Sequence, residues 1–414
     1  MLSQYLVSPF RIEMLKGGPA GAQVESFAQW LYESGYTRNT ACKHIRAVEH
    51  FAYWVGRTGT PLSDLTEESV ERFGSHLRRP ACAHFSHSDR DQHGARLFLR
   101  HLKHVGVVSS TNDVANTAQD PTLLLDFCEW MRQLRGTCEA SLCSYGVHIR
   151  RLLDRLGEEP GKFDAHNLRN FAMETHREYG WAAAKSCTTA LRMFLRFLIA
   201  EGKCRIGLDA AILPLAHWRL ESLPRYLSED EVERLIASCD PESSMGRRDR
   251  AILLLLARLG LRAGDIVQLQ LSDIDWEEAC IHVCGKGRRH SELPLTQEVG
   301  SALVQYLEHG RPRTEAEAVF ITNRAPFRAF SSGIAVSMIV ARALRRAGVA
   351  RPSRGAAHLL RHSVASSMLR HGGSLQDIAQ VLRHSSIETT QIYAKVDVLA
   401  LRKIAQPWPE VEPC

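Results

Sequence analysis

The chain has 414 residues, 44% of them hydrophobic and 24% charged, a composition that excludes wholesale disorder. That length exceeds what one hydrophobic core usually organises, so two or three domains are expected. A net charge of +6 and a pI near 8.8 are compatible with a polyanionic partner but do not identify one.

Eleven cysteines are present. None forms a CxxC pair, and no His pair completes Cys138 with Cys143 or Cys280 with Cys284 as a metal site. Free thiols in a reducing cytoplasm, and no metal, are therefore expected. The opening stretch, Met1 to Leu15, contains Pro9 and Arg11 and lacks a cleavage-site pattern. The longest apolar run, Ala251 to Ala257, is far short of the roughly 20 residues that span a bilayer. These readings predict a soluble, cytoplasmic protein without a membrane partner.

The first 220 residues read as helices, with one unit occurring twice. Val24, Phe27, Trp30 and Leu31 form an apolar stripe at helical spacing, matched by Leu124, Phe127, Trp130 and Met131. His44-Ile45-Arg46 is echoed by His148-Ile149-Arg150. The segment from Arg96 to Leu102 is echoed from Arg192 to Leu198, and Gly106 and Gly202 close the two at equivalent places. The offset drifts from 100 to 104 to 96, which places small insertions in the turns. Two copies at this period indicate a duplicated domain and not a solenoid. The polar stretch Val107 to Gln119 reads as the linker between copies, and Pro214 and Pro224 bracket the connector to a new domain.

Ser228 with Glu231 has the spacing of a capping box, and Val232, Leu235 and Ile236 supply the apolar face behind it. A strongly apolar helix from Arg247 to Leu259 ends at Gly260. Arg262 then sits at a helix–helix junction, where an unpaired guanidinium is expensive to bury. A salt bridge to Asp265 or Asp249 is the structural alternative for it.

Ile274 to Cys284 reads as strand, Gly285 to Arg289 as a turn, and Glu292 to Leu295 as the returning strand. Lys286 at the tip either swings into a groove or is simply solvated, and the segment lacks the spacing of a Walker loop. His358 and Arg361, three apart, lie on one helix face. A further helix carries Ile378, Val381 and Leu382 and ends near Arg383 and His384, with Tyr393 beyond it.

Each of these segments is weakly informative alone. In order, however, Gly-Leu-Arg, Gly-Lys-Gly with Pro-Leu after it, His-Leu-Leu-Arg-His, Leu-Arg-His-Ser and Thr-Thr-Gln-Ile-Tyr make a specific set. It resembles the tyrosine recombinase (phage integrase) family over Leu223 to about Ile404. The resemblance implies a multidomain, mainly α protein: helical SAM-like DNA-binding modules, here duplicated, before a mixed α+β catalytic domain with a small β-sheet. The corresponding boundaries are 1–107, 118–210 and 223–406, the second copy resembling the core-binding domain and the first resembling it more weakly.

By the same resemblance, Tyr393 attacks the scissile phosphate to give a 3′-phosphotyrosyl link and a free 5′ hydroxyl. Arg262 and Arg361 hold the non-bridging oxygens, and Lys286 is the acid for the leaving oxygen. His358 assists proton movement at the nucleophile, and His384 hydrogen-bonds the phosphate.

No cofactor is implied, since the covalent link conserves the phosphodiester bond and charge stabilisation falls to the cationic side chains. The implied partner is double-stranded DNA, bound by a homotetramer on paired sites, with or without sister recombinases. A short final helix, Val398 to Ile404, is expected to dock on a neighbouring protomer. Candidate DNA contacts are Arg38, Lys43, Arg46, Arg150, Lys185, Arg288, Arg289 and Arg383.

Two departures from the family pattern stand out: Arg383 occupies a common glycine position, and Asp265 replaces a frequent glutamate. Integration or excision of a mobile element is the favoured role. The alternatives are type IB topoisomerase-like relaxation and a catalytically silent DNA-binding regulator.

Overall fold

The computed structural model describes residues 1–6, 8–77, 89–109, 120–215, 224–284, 290–350, 355–384 and 386–396. Cα packing divides the chain into two compact units, Met1–Glu49 with Leu220–Cys414, and His50–Arg219. The anticipated linker lies largely outside the described residues, as does the final helix from Val398. No helix among the described residues is long and apolar enough to cross a membrane.

Among the described residues the first half holds ten α-helices: α1 Leu2–Tyr5, α2 Pro9–Gly17, α3 Gly21–Glu33, α4 Arg38–Thr58, α5 Glu67–Leu77, α6 Asp89–His104, α7 Thr122–Arg135, α8 Glu139–Leu156, α9 Ala165–Glu178 and α10 Trp181–Ala200. The order α3–α4–short 3-10 turn–α5–α6 recurs as α7–α8–short 3-10 turn–α9–α10, the turns being Leu62–Asp64 and Pro160–Lys162. Burial follows the same register. From Gly94 to Gly106 against Ala190 to Gly202, the burial classes differ only at Arg96 and Arg192. Both glycines adopt positive φ, +75° and +65°, and the next residue donates its N–H to Leu102 O or Leu198 O.

One detail departs from the sequence echo. Ala41, Ile45, Val48, Phe51 and Ala52 on α4 match Leu142, Gly146, Ile149, Leu152 and Leu153 on α8, all buried. That offset is 101, the same as between Arg38 and Glu139 at the helix starts. The His-Ile-Arg triplets, 104 apart, therefore sit on different turns.

The C-terminal part is organised around α12, Ser244–Arg258, whose residues Ala251 to Leu256 are completely buried. A helix apolar on all sides must be covered on all sides. It packs with α11 (Glu229–Ala237), α14 (Gln297–His309), α15 (Gly333–Arg346) and α16 (Ala356–Arg370). The capping box at Ser228 forms: Ser228 N–H donates to Glu231 Oε2 at 2.9 Å, and Glu231 N–H donates to Ser228 Oγ at 3.2 Å.

The segment read as one strand from Ile274 to Cys284 is instead two: β1, Ile274–Asp275, and β2, Cys280–Cys284. Asp275 Oδ1 accepts the N–H groups of Glu277 and Glu278, and Ala279 takes φ +49°, so the chain reverses between the two strands. β3, His290–Pro294, completes an antiparallel sheet of order β1-β2-β3, with Cys284 opposite His290. This register brings Asp275, Cys280 and His282 together, their potential ligand atoms all within 4.8 Å of one another. Cysteine spacing does not reveal that grouping, because Asp275 comes from the neighbouring strand.

Candidate active site

Four segments of the C-terminal part meet at one cationic pocket. The first is the turn between α12 and α13 (Ala263–Gln268). Gly260 adopts φ +59°, and a Cβ there would lie 2.7 Å from Leu382 Cδ2, so both conformation and space select glycine. This turn presents Arg262, half-buried, at the N-cap of α13.

The second segment is α16, which supplies His358, Arg361 and His362 from successive turns. Arg361 is 1% exposed, and its guanidinium donates to the main-chain oxygens of Gly260 and Leu382. It thereby ties the Arg262 turn to the end of α17 (Leu375–Val381). The third segment, after α17, carries Arg383 and His384, with His384 Nδ1 lying 2.7 Å from Thr390 Oγ1. The fourth is a 3-10 turn, Gln391–Val396, that carries Tyr393.

Tyr393 is 2% exposed, its ring packed with Ala365, Leu369, Ile378 and Leu382. Its hydroxyl lies 2.8 Å from His362 Nδ1. The His362 ring in turn meets that of His358 edge to face, with centroids 4.5 Å apart.

Arg262 is not held by the salt bridge anticipated for it. Its backbone N–H donates to Asp265 Oδ2 at 2.9 Å, while its side chain donates to Arg383 O at 3.2 Å. Asp249, the other anticipated partner, pairs with Arg248 at 2.7 Å. The Asp265 carboxylate pairs instead with the Arg383 side chain at 2.5 Å. Arg383 itself adopts φ +53°, in the left-handed region that favours glycine. Its side chain is 8% exposed, and Nε and Nη1 have no partner among the described residues.

Burial and neighbouring positive charge lower the proton affinity of Arg361, His358, His362 and His384 alike. Burial, then Arg262 and Arg383, push Arg361 down to about 10. Burial, then Arg361 and Arg262, push His384 down to about 4. His362 is also pushed down to about 4, by burial and then by His358, Arg361 and His384. His358 is exposed, and its proton affinity is lowered by partial desolvation, then by Arg361 and Arg262. Burial pushes the Tyr393 phenol up to about 12, with Arg361 opposing. Asp265 is the carboxylate that faces these groups. The four segments thus gather three guanidinium groups and three imidazoles around a buried phenol whose proton is held tightly.

The pocket brings together Arg262, His358, Arg361, Arg383, His384 and Tyr393 from the sequence-derived set, and it adds His362. Lys286, Arg288 and Arg289 lie outside the described residues. The remaining basic candidates are on helices of the first half. Lys43 and Arg46 are exposed on α4, where Arg38 Nε donates to Gln4 O at 3.0 Å. Arg150 on α8 is paired with Asp120, and Lys185 on α10 lies 5.1 Å from the Trp181 ring centroid.

Comparison with known proteins places this geometry. Residues 225–399 match the model of the phage integrase family. The chain is 34% identical to y4rA of Sinorhizobium fredii, named as an integrase/recombinase, over 99% of both chains. It is 32% identical to the tyrosine recombinase XerC of Pseudomonas aeruginosa, covering 67% of this chain and 91% of that one. In fold it is similar to a lambda integrase dimer bound to a core site, with TM-score 0.52 and 20% identity over 70% of this chain and 98% of that one. It is likewise similar to the recombinase XerH bound to its difH substrate, with TM-score 0.51 and 19% identity over 83% and 96%. The full-length relationship to y4rA and the matched catalytic region make the chain a member of the phage integrase family, the tyrosine-type site-specific DNA recombinases.

Proposed function

We propose that the pocket cleaves and rejoins duplex DNA through a phosphotyrosyl intermediate, with Tyr393 as nucleophile. The observation that carries this reading is a buried phenol beside Arg361 in a site of concentrated positive charge. Arg262 and Arg361 clamp the non-bridging oxygens, where charge builds in the transition state, and their fixed main-chain contacts pre-organise that clamp. His384, oriented by Thr390, donates to the same phosphate, and Lys286 protonates the leaving 5′ oxygen. The bond from phosphorus to the 5′ oxygen breaks as the bond to Tyr393 Oη forms. The 5′ hydroxyl of a second strand reverses the step.

The repeated helical unit supports two core-binding-type modules, spanning 1–107 and 118–210, ahead of a catalytic domain at 223–406. Together they would give an extended DNA footprint. Exposed Lys43 and Arg46 are available for phosphate in the first copy. In the second copy, Arg150 would exchange Asp120 for phosphate, and Lys185 is held near the Trp181 ring. We read the assembly as a tetramer on paired sites, serving integration or excision of a mobile element; the integrase/recombinase name of y4rA supports the recombination part of that reading.

Covalent trapping on a nicked duplex tests the central claim. Wild type is expected to form a denaturant-resistant adduct, and Tyr393→Phe none. An adduct that persists in Tyr393→Phe would place the nucleophile elsewhere.

A further inference from the structure

We propose that His362 is the residue that takes the Tyr393 proton during cleavage and returns it during rejoining. This rests on the reading of Tyr393 as nucleophile. His358 was the histidine expected to serve that position, but the phenol is bonded to a different ring. Tyr393 Oη lies 2.8 Å from His362 Nδ1, a direct hydrogen bond within the range needed for proton abstraction. His358 touches the far side of this pair, its ring centroid 4.5 Å from that of His362 and nearer the solvent.

Four charged or titratable groups face His362. His358 and Arg361 come from its own helix, His384 from the turn after α17, and Tyr393 from the final 3-10 turn. None is a carboxylate, so nothing in that set stabilises an imidazolium. The ring is therefore neutral at pH 7, and with the phenol O–H as donor Nδ1 is the acceptor and the ring's own proton sits on Nε2. This is the acceptor state that a general base needs.

The same surroundings make it a weak base until an anion arrives. A phosphodiester seated between Arg262 and Arg361 adds a negative charge to the pocket, which raises the proton affinity of every histidine there. The base is thus strengthened by the substrate. During cleavage, the Oη–H electron pair becomes the bond to phosphorus, the proton moves to Nδ1, and the 5′ oxygen leaves with a proton from the general acid. During rejoining, the 5′ hydroxyl attacks and gives its proton back to that acid, the phenolate leaves, and Nδ1 returns its proton to Tyr393 Oη. Each direction thus moves two protons, one through His362 and one through the acid, and the second step restores both groups.

The test uses the full-length chain in single turnover, on a nicked duplex that wild type converts to adduct, from pH 6 to 9.5. His362→Gln keeps a polar side chain but cannot take up a proton at these pH values. It is expected to slow adduct formation at pH 7 by about 100-fold, the lower end of a general-base contribution. Its rate should then climb about tenfold per pH unit, as hydroxide replaces the imidazole, while wild type levels off. His362→Ala should be accelerated by added imidazole, and both variants should bind the duplex as wild type does.

A His362→Gln rate within about threefold of wild type would overturn the proposal. So would a slowed rate with an unchanged pH profile and no response to imidazole, which would reduce His362 to a positioning residue. Persistence of the adduct in Tyr393→Phe would instead overturn the nucleophile assignment. Loss of that adduct beside an unaffected His362→Gln would overturn the base alone.

Discussion

Arg383 and Asp265 look in sequence like two unrelated departures, yet they form a single ion pair. The shorter carboxylate meets a guanidinium where glycine is commonly found. Holding a non-glycine residue at φ +53° costs about 1–2 kcal/mol, and two buried donors without a partner among the described residues add to that. Removing one partner of a buried pair strands the other, typically at a cost of about 3–5 kcal/mol. Asp265→Ala is therefore expected to lower the denaturation midpoint of the C-terminal part sharply, while Asp265→Ala with Arg383→Gly should recover much of the loss. A double mutant as unstable as the sum of the singles would show that the two residues act independently. Of the site itself, Arg262, Arg361, His384 and Tyr393 were legible because their order and flanking residues are distinctive. His362 was written in the same motif but could not be given a role, since only the fold brings its Nδ1 to the phenol. The conformation of Arg383 was likewise invisible, because a backbone angle leaves no trace in residue identity.

At the level of elements, the repeated unit was visible as aromatic and leucine stripes, and the burial register sharpens it. Phe98 on α6 and Phe194 on α10 occupy the same place in their copies, both completely buried. Truncating either to alanine removes a comparable buried volume, so Phe98→Ala and Phe194→Ala should each cost about 3–5 kcal/mol. Thermal melting with hydrogen exchange would check this, and a large effect from only one would argue that the copies are packed differently. The α4–α8 register shows where sequence likeness misleads. A shared His-Ile-Arg triplet is a weak constraint, whereas the side of a helix that must be buried is a strong one. The strand misreading has a similar cause. Ile274 to Cys284 is rich in strand-forming residues at both ends, and the reversal depends on Asp275 accepting two backbone N–H groups, which alternation alone does not register.

Among the described residues, six histidines are held below their ordinary range: His101, His148, His176, His358, His362 and His384, each chiefly through burial. In the unfolded chain such groups protonate near pH 6.5. Where the folded pKa is lower, the unfolded state binds more protons through the window between, so stability falls as the pH drops. For His101, His362 and His384, that window runs from about 6.5 to about 4. Unfolding midpoints measured at pH 7.5 and 5 should therefore differ, with the acid sample less stable. Inorganic phosphate should narrow the gap by occupying the cationic pocket, since a ligand that favours the folded state shifts the balance by mass action. A pH-independent midpoint would mean that these rings become solvated without unfolding.

The seclusion of Tyr393 bears on fidelity. A basic protein meets ordinary chromosome far more often than its own site, and any backbone it touches presents the same phosphate chemistry. On the reading of Tyr393 as nucleophile, a phenol only 2% exposed is out of reach of most of those encounters. Accidental nicking is then governed by how rarely the tyrosine leaves its bed, a property of the resting enzyme that operates before any base pair has been read.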